Sequence, residues 1–443
     1  MGKHDGAGGA PVTGSLARAG TSTPAVVLKL DPNVMHHGGL GVIRSLGRLG
    51  VPVYGVHESP LAPAARSRYL HGRYFWQPSP VDPERIRDGL LTLADRIGRP
   101  AVLLPTDDAG AIFLAEHGEG LRPQFIFPDQ PAELPRQVAG KYSLFQLCRD
   151  LSIPAPAASV PDTPAAARAF AAQAGYPLIA KLTTPWQGGG LLSTSIVTSA
   201  GQLDDLLAAC ARAGAGLMLQ EFIPGDPHGG QQDQDWFFHG YCDASSTCRP
   251  AFTGVKERSY PAHAGLTCLG RSEPNADLSD QVTALLGKLG YRGILDLDLR
   301  LDLRDGEYKL LDFNPRLGAQ FRLFRTTAGV DVATAAYLDL TGAAIPEGEP
   351  IAGRRFVVEN YDPLGALGYW RRGELGLRSW AASLRGIDET AWFAADDLAP
   401  FGLMCLQMGW RLVSRPASRL TAALRPGRAG DPPAPSAKVP AHT

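Results

Sequence analysis

Two runs carry the most information in this chain: Tyr291-Arg-Gly-Ile-Leu-Asp-Leu-Asp-Leu-Arg-Leu-Asp302 and, just beyond it, Lys309-Leu-Leu-Asp-Phe-Asn-Pro-Arg-Leu-Gly318. Successive side chains on a strand point to opposite faces. Asp296, Asp298, Arg300 and Asp302 therefore share one face, while Leu295, Leu297, Leu299 and Leu301 point into a core. The turn Arg304-Asp305-Gly306-Glu307 joins the two runs as a hairpin. On its second arm Asp312, Asn314 and Arg316 share a face, opposite Leu311 and Phe313. Cross-strand neighbours lie only ~5 Å apart, and carboxylates that close repel unless a cation lies between them. A hard, oxygen-only set suits Mg²⁺, which takes carboxylates, phosphate oxygens and water. The plain alternative is a solvated face with ion pairs through Arg300 and Arg316, and Asp302 and Asp305 near the turn belong to it.

Two stretches upstream add to this. Thr183-Thr-Pro-Trp-Gln-Gly-Gly-Gly-Leu-Leu-Ser-Thr-Ser195 places a glycine run between two strand patterns, directly after Lys181. Glycines let backbone N–H groups approach an anion, and a buried strand lysine needs a partner such as phosphate. A flexible hairpin tip would have the same composition. Leu217-Met-Leu-Gln-Glu-Phe-Ile-Pro-Gly225 is a buried strand that ends in Gln220 and Glu221 and then a turn. Such an end offers backbone groups to a purine edge and a carboxylate to its amino group.

Further out, Ala25–Leu30, a glycine-rich turn at His37–Gly41, a helix at Val42–Leu49 and a strand at Val51–Val56 form a parallel α/β unit. A helix at Glu84–Ile97 and a strand at Ala101–Pro105 continue it, and Asp107 or Asp108 caps the next helix. Gly39-Leu-Gly-Val-Ile-Arg44 has arginine where a dinucleotide fingerprint has its third glycine, which argues against NAD or FAD. Helices are expected at Lys141–Leu151, Thr163–Gly175, Asp204–Ala213 and Asp280–Leu289, and strands at Tyr176–Leu182, Leu217–Ile223 and Arg354–Asn360. Past residue 360, Trp370, Trp380, Trp392 and Trp410 sit among leucines and arginines. Leu398–Val413 is apolar but shorter than the ~20 residues that span a bilayer. It reads as a packed helix, with an interfacial membrane helix as the sharper alternative.

The 443 residues suggest two or three domains. A net charge of −1 gives no basic surplus for nucleic acid. The six cysteines contain no C-x-x-C pair and read as free thiols. Cys242, Cys248 and His239 are too loosely spaced for zinc. The first 23 residues lack the apolar segment of a signal peptide, which predicts a cytoplasmic protein, with contact to the membrane surface left open for the C-terminal helical region.

Taken in order, these motifs resemble the ATP-grasp superfamily. The order is a lysine before a helix (Lys141), a strand lysine (Lys181), a glycine-rich flap, an E-F-I-P-G hinge and two acid-bearing strands closed by Asp312-Phe-Asn-Pro-Arg316. Phe252-Thr-Gly-Val-Lys-Glu-Arg-Ser-Tyr-Pro261 and Gly318-Ala-Gln-Phe-Arg322 are similar to the carboxylate–amine ligase branch, which includes D-aspartate ligase-like enzymes. The resemblance covers roughly residues 25–345. It implies an α/β and α+β architecture: a Rossmann-like pre-ATP-grasp domain over 24–135 and an ATP-grasp domain over 136–350. The latter divides into a flap-bearing part over about 155–225 and a metal-bearing part over about 226–350. A helical extension over 351–415 and disordered tails at 1–23 and 416–443 complete the chain. The cofactors it implies are ATP and Mg²⁺ (or Mn²⁺), and the partners a small-molecule carboxylate and an amine, amino acid or peptide-like.

The implied roles are specific. Lys141 and Lys181 hold phosphates, and Gly188, Gly189 and Gly190 close over them. Gln220, Glu221, Phe222 and Ile223 read adenine, and Asp226, or else Asp233 or Asp235, meets the ribose. Asp298, Asp312 and Asn314 hold metal. Arg316, with Lys256 or Arg258, stabilises the transferring phosphoryl group and the substrate carboxylate. His36, His37, Arg44 and Asp107 stand where the N-terminal domain would meet substrate. A kinase, a carboxylase and a non-catalytic ATP-binding protein are the rival readings.

Overall fold

A computed structural model describes residues 21–76, 82–183, 194–225, 234–263 and 265–423. The N-terminal unit runs β1 (Ala25–Leu28), α1 (His37–Arg48), β2 (Val53–His57), β3 (Leu70–Phe75), α2 (Pro83–Ile97), β4 (Ala101–Pro105), α3 (Asp108–His117) and β5 (Phe125–Ile126). Its five strands are all parallel, in the order β3-β2-β1-β4-β5. β1 and most of β4 are buried on both faces, as a parallel sheet covered by helices requires, so they read as unbroken apolar runs. Asp107 caps α3 by accepting from the Gly110 N–H, and it also accepts from the N–H groups of Leu30 and Asp31. It thus ties the end of β1 to the start of α3.

The glycine-rich turn expected at His37–Gly41 is instead the first turn of α1. The glycines serve packing, not bending. A Cβ on Gly41 would come within 2.6 Å of the Phe321 ring, and one on Gly38 within 3.2 Å of Ala319 Cα. Their absence lets the segment after the acid-bearing hairpin lie directly on α1.

Next come α4 (Leu134–Ala139), α5 (Lys141–Asp150), β6 (Ala158–Ser159), α6 (Pro164–Ala174), β7 (Leu178–Leu182), β8 (Thr194–Val197), α7 (Ala200–Ala213) and β9 (Leu217–Glu221). β6, β9, β7 and β8 form a small antiparallel sheet with its own core against α6 and α7.

The rest builds around β10 (Asp235–Cys242), β11 (Cys248–Tyr260), β12 (Leu266–Ser272), α8 (Ala276–Leu289), β13 (Gly293–Asp302), β14 (Glu307–Asn314), α9 (Val332–Leu340), β15 (Arg355–Val357), α10 (Asp362–Arg371), α11 (Leu377–Ser383), β16 (Glu389–Thr390) and α12 (Leu398–Ala423). The seven-stranded sheet has the order β14-β13-β10-β11-β12-β15-β16. β10 to β12 escaped the sequence reading because β10 is buried on both faces and shows no alternation, while register shifts interrupt β11. α8 covers one face of this sheet, and α9 lies between the other face and α1.

The region after residue 350 was expected to be a helical extension. Within it β15 falls in the strand expected at Arg354–Asn360, and β16, which was not expected, pairs with β15 at the edge of the seven-stranded sheet. Its anchor is buried Trp392, which shares a core with α1 and α9. Arg44, read as a substrate contact, is buried against this region: it donates to Asp397 Oδ2 at 2.9 Å and to the Trp392 carbonyl at 2.7 Å. His37 packs among Phe356 and Trp392. No helix among the described residues is long and apolar enough to cross a membrane. Leu406 and Trp410 are exposed on the outer side of α12.

Candidate active site on the acid-bearing face of the seven-stranded sheet

β13 and β14 pair with Asp298 opposite Asp312 and Asp296 opposite Asn314. The register shifts between Asp298 and Leu299, leaving Leu311 unopposed. This bulge corrects one expectation: Leu310, not Leu311, joins Phe313 in the core although the two are three residues apart. An extra residue of this kind re-aims a strand's side chains. Here it keeps Asp312 and Asn314 on the side of Asp296 and Asp298, while Leu295, Leu297, Leu299 and Leu301 sit in the core with α8.

Cations from four places converge on these acids. Lys141, at the start of α5, bonds the Asp312 carboxylate. Lys256 of β11 lies 2.9 Å from Asp298 Oδ1. Arg316 donates to Asn314 Oδ1 at 3.0 Å and to Asp296 Oδ2 at 3.2 Å, and it lies 3.2 Å from Asp108 at the N-terminus of α3. Lys181 of β7 completes the group: burial, then the nearby Lys141, lower its pKa to about 8, against the pull of Asp312 and Asp298. Burial would raise Asp312, but Lys141, Lys181 and Arg316 outweigh it and hold the carboxylate below its ordinary range. Burial likewise opposes charge on Lys256, yet Asp298, Asp235 and Asp296 leave its pKa raised.

A buried layer supports this surface. Burial pushes the Asp296 carboxyl up to about 7 and holds His239 neutral, at about 3. His239 Nε2 lies 3.1 Å from Asp296 Oδ1 without the alignment of a hydrogen bond. Gly318 closes over both: a Cβ there would come within 2.2 Å of His239 and 2.7 Å of Asp296.

The donor set fits a hard divalent cation. Two carboxylates and an amide oxygen face the same cleft as the lysines, and Mg²⁺ takes one or two carboxylates and completes its shell with phosphate and water. Among the described residues no three His, Cys, Asp or Glu side chains are grouped to hold a metal by themselves. Cys242 and Cys248 are cross-strand neighbours in the core, on the face opposite His239, so these three do not converge.

Several expected residues do not join the cleft. Arg258 is buried elsewhere, donating to Asp362 at 2.7 Å and to Ser383 at 3.2–3.3 Å. The register shift between Lys256 and Arg258 sends it to the C-terminal region. Glu221 is committed to Arg304 at 2.6 Å and to the Ala157 N–H at 3.2 Å, so its carboxylate braces the hairpin tip. Asp235 pairs with Arg300. Gln220 is buried on β9, and Ile223 is buried just beyond it, next to Phe222. Gly188, Gly189, Gly190, Asp226 and Asp233 lie outside the described residues. Asp108 was read only as a possible helix cap and His239 only as a rejected zinc ligand. Asp296 was read onto the correct face but given no role, although its alternation with Asp298 was the available signal.

No protein-family model matches the chain. Among solved structures, it superposes on N5-carboxyaminoimidazole synthetase from Staphylococcus aureus with a TM-score of 0.55 at 11% identity, covering 75% of this chain and 81% of the other. It superposes on the biotin carboxylase domain of 2-oxoglutarate carboxylase from Hydrogenobacter thermophilus, solved with MgADP and bicarbonate, with a TM-score of 0.52 at 17% identity, covering 74% and 71%.

The chain has the ATP-grasp fold.

In ATP-grasp terms, the small antiparallel sheet and the seven-stranded sheet are the two halves of the fold. In sequence the chain is similar to a D-aspartate ligase from Enterococcus faecium, 25% identical over 244 residues, 52% of this chain. The match spans 56% of that relative, just over half its length.

Proposed function

We propose that this protein is a carboxylate–amine ligase that uses ATP and Mg²⁺ (or Mn²⁺) to join a small carboxylate to an amine, releasing ADP and phosphate. One observation supports the reading most: Asp298, Asp312 and Asn314 occupy one face, flanked by Lys141 from a helix, Lys181 and Lys256 from two different sheets, and Arg316 from the loop after β14. The enterococcal D-aspartate ligase supports the branch.

Asp298, Asp312 and Asn314 would hold the divalent ion, whose charge offsets that of the nucleotide phosphates. Lys141 and Lys181 hold the α- and β-phosphates. Arg316 and Lys256 bind the substrate carboxylate and the γ-phosphoryl oxygens, where negative charge is shared in the transition state. A carboxylate oxygen attacks the γ-phosphorus, and the bond from phosphorus to the β,γ-bridging oxygen breaks, releasing ADP. The amine then attacks the acyl carbon. The C–O bond to phosphate breaks, and the nitrogen loses a proton as the amide forms.

The deciding experiment incubates the protein with ATP, Mg²⁺ and a panel of carboxylates and amines, with hydroxylamine as a trap. ADP with a hydroxamate is the expected pair of products. AMP with pyrophosphate would overturn the reading in favour of adenylation, ADP with a stable phosphorylated product in favour of a kinase, and hydrolysis that depends only on bicarbonate in favour of a carboxylase.

A further inference from the structure

The first half of α12 is apolar on both sides. On the inner side Met404 is buried in the core that holds Trp392, and Phe401 and Met408 pack against that core. A surface helix ordinarily turns charged and polar residues outward. Here every exposed position from Leu398 to Trp410 is leucine, alanine, glycine, cysteine or tryptophan. Leu398 is 54% exposed, and Leu406 and Trp410 are each 72% exposed. Leu61, 60% exposed, adjoins them, because the Gln407 side chain donates to its carbonyl. Phe393, half-buried, meets the Phe401 ring edge-on at the start of the helix. Single exposed leucines are ordinary, but a continuous apolar surface of this kind marks an interaction site.

The charges beside this surface have one sign. α12 carries Arg411, Arg415 and Arg419 and no acidic residue. In the sequence beyond it, Arg425 and Arg428 come before the next acid, Asp431. The turn Pro63–Arg66 packs on α12 and brings Arg66, with Arg68 two residues on, and both are exposed. The acids just before the helix are already paired, Asp396 with Arg48 and Asp397 with Arg44. The chain as a whole has a net charge of −1, so this basic excess is local.

That charge pattern chooses between the occupants such a face could have. A second copy would bring one arginine-bearing helix against another, with the neighbouring acids already engaged. An anionic bilayer answers both features: its acyl boundary takes the leucines, and its phosphates take the guanidinium groups. Trp410 stands at the junction of the apolar stretch and the arginines, and an indole suits the level of the headgroups. We propose that α12 docks this protein on the surface of an anionic membrane, with Leu398, Leu406 and Trp410 in the interface and the arginines on lipid phosphates. No helix among the described residues crosses a membrane, so the helix lies on the bilayer. The inference is independent of the ligase reading.

The test floats the full-length protein with vesicles of phosphatidylcholine alone, or of phosphatidylcholine with about 30% phosphatidylglycerol, in about 0.1 M salt. The expected result is binding to the anionic vesicles about tenfold tighter than to phosphatidylcholine, mostly lost in about 0.5 M salt. Leu406→Gln combined with Trp410→Gln leaves the charge unchanged and alters two exposed side chains. It should weaken binding about tenfold at an unchanged melting temperature. Arg415→Gln combined with Arg419→Gln should weaken binding about fivefold and reduce its dependence on salt. Absence of binding, equal binding to the two kinds of vesicle, or unchanged binding in either double variant would each overturn the proposal. Light scattering without vesicles provides the other arm. A monomer is expected, and a dimer that the Leu406 and Trp410 changes disperse would overturn the proposal in favour of a second copy.

Discussion

Asp312 shows how much one side chain carries here. It faces Asp298 across the hairpin, bonds Lys141 and feels Lys181 and Arg316, so its negative charge organises three cations. Asp312→Asn keeps the shape and removes the charge. The protein should remain folded by circular dichroism while phosphate release falls at least a hundredfold, about 3 kcal/mol of transition-state stabilisation; near-normal turnover would rule out a metal or phosphate role for this position. Lys181 supplies a pH signature. Its pKa of about 8 lies below its ordinary value, so it is charged below pH 8 and neutral above. Anionic phosphate favours the charged form. KM for ATP should therefore rise as pH increases from 7 to 9.5, and Lys181→Arg, whose guanidinium does not titrate in that range, should flatten the rise. A wild-type profile in the arginine variant would place Lys181 away from the phosphates.

The elements position these residues through a few close approaches. The bulge in β14 lets Asp312 and Asn314 face the cleft while Leu310 and Phe313 both reach the core. Gly318 lets the chain after β14 pass over His239 and Asp296, and Gly41 lets the same segment meet α1. The joint between α1 and the C-terminal region depends on Arg44 and Asp397, each about 1% exposed. Asp397 also accepts from Ser67 Oγ and the Arg68 N–H. Asp397→Asn would leave the Arg44 charge buried without its counter-ion, which should cost about 3–5 kcal/mol. Urea unfolding followed by intrinsic tryptophan fluorescence reads this directly, and a midpoint within error of wild type would show that the pair contributes little.

At the scale of the whole molecule, the region after residue 350 completes the fold. One hydrophobic core runs from β1 and α1 through α9 and the inner face of β10 to Trp392 and Met404. Glu359 accepts from the N–H groups of Ala391, Trp392 and Phe393, which pins the last strand to the sheet. A chain ending at Arg385 loses Trp392, Asp397 and α12 together. It should be recovered as aggregate, or as a soluble species without a cooperative melting transition. A shortened chain with the wild-type melting temperature would show the region to be an appendage. The cleft of the ATP-grasp unit and the N-terminal sheet meet through Arg316 and Asp108, so damage at either end of the chain should reach the site.

The acid-bearing hairpin was legible because its signals are local, whereas β10 to β12 beside it were not. Period-two alternation put Asp296, Asp298 and Asp312 on one face, and Lys141 and Lys181 were placed by the motifs around them. What the linear chain could not say is which distant group each charge meets. Arg258 and Lys256 are two residues apart, yet a register shift sends one to Asp362 and the other to Asp298. Glu221 meets Arg304, Arg44 meets Asp397, and Asp108 reaches Arg316 across more than two hundred residues. Side-chain direction along a strand follows from backbone geometry that every residue carries with it. The pairing of buried charges follows from how whole sheets pack, and only the tertiary structure sets those distances.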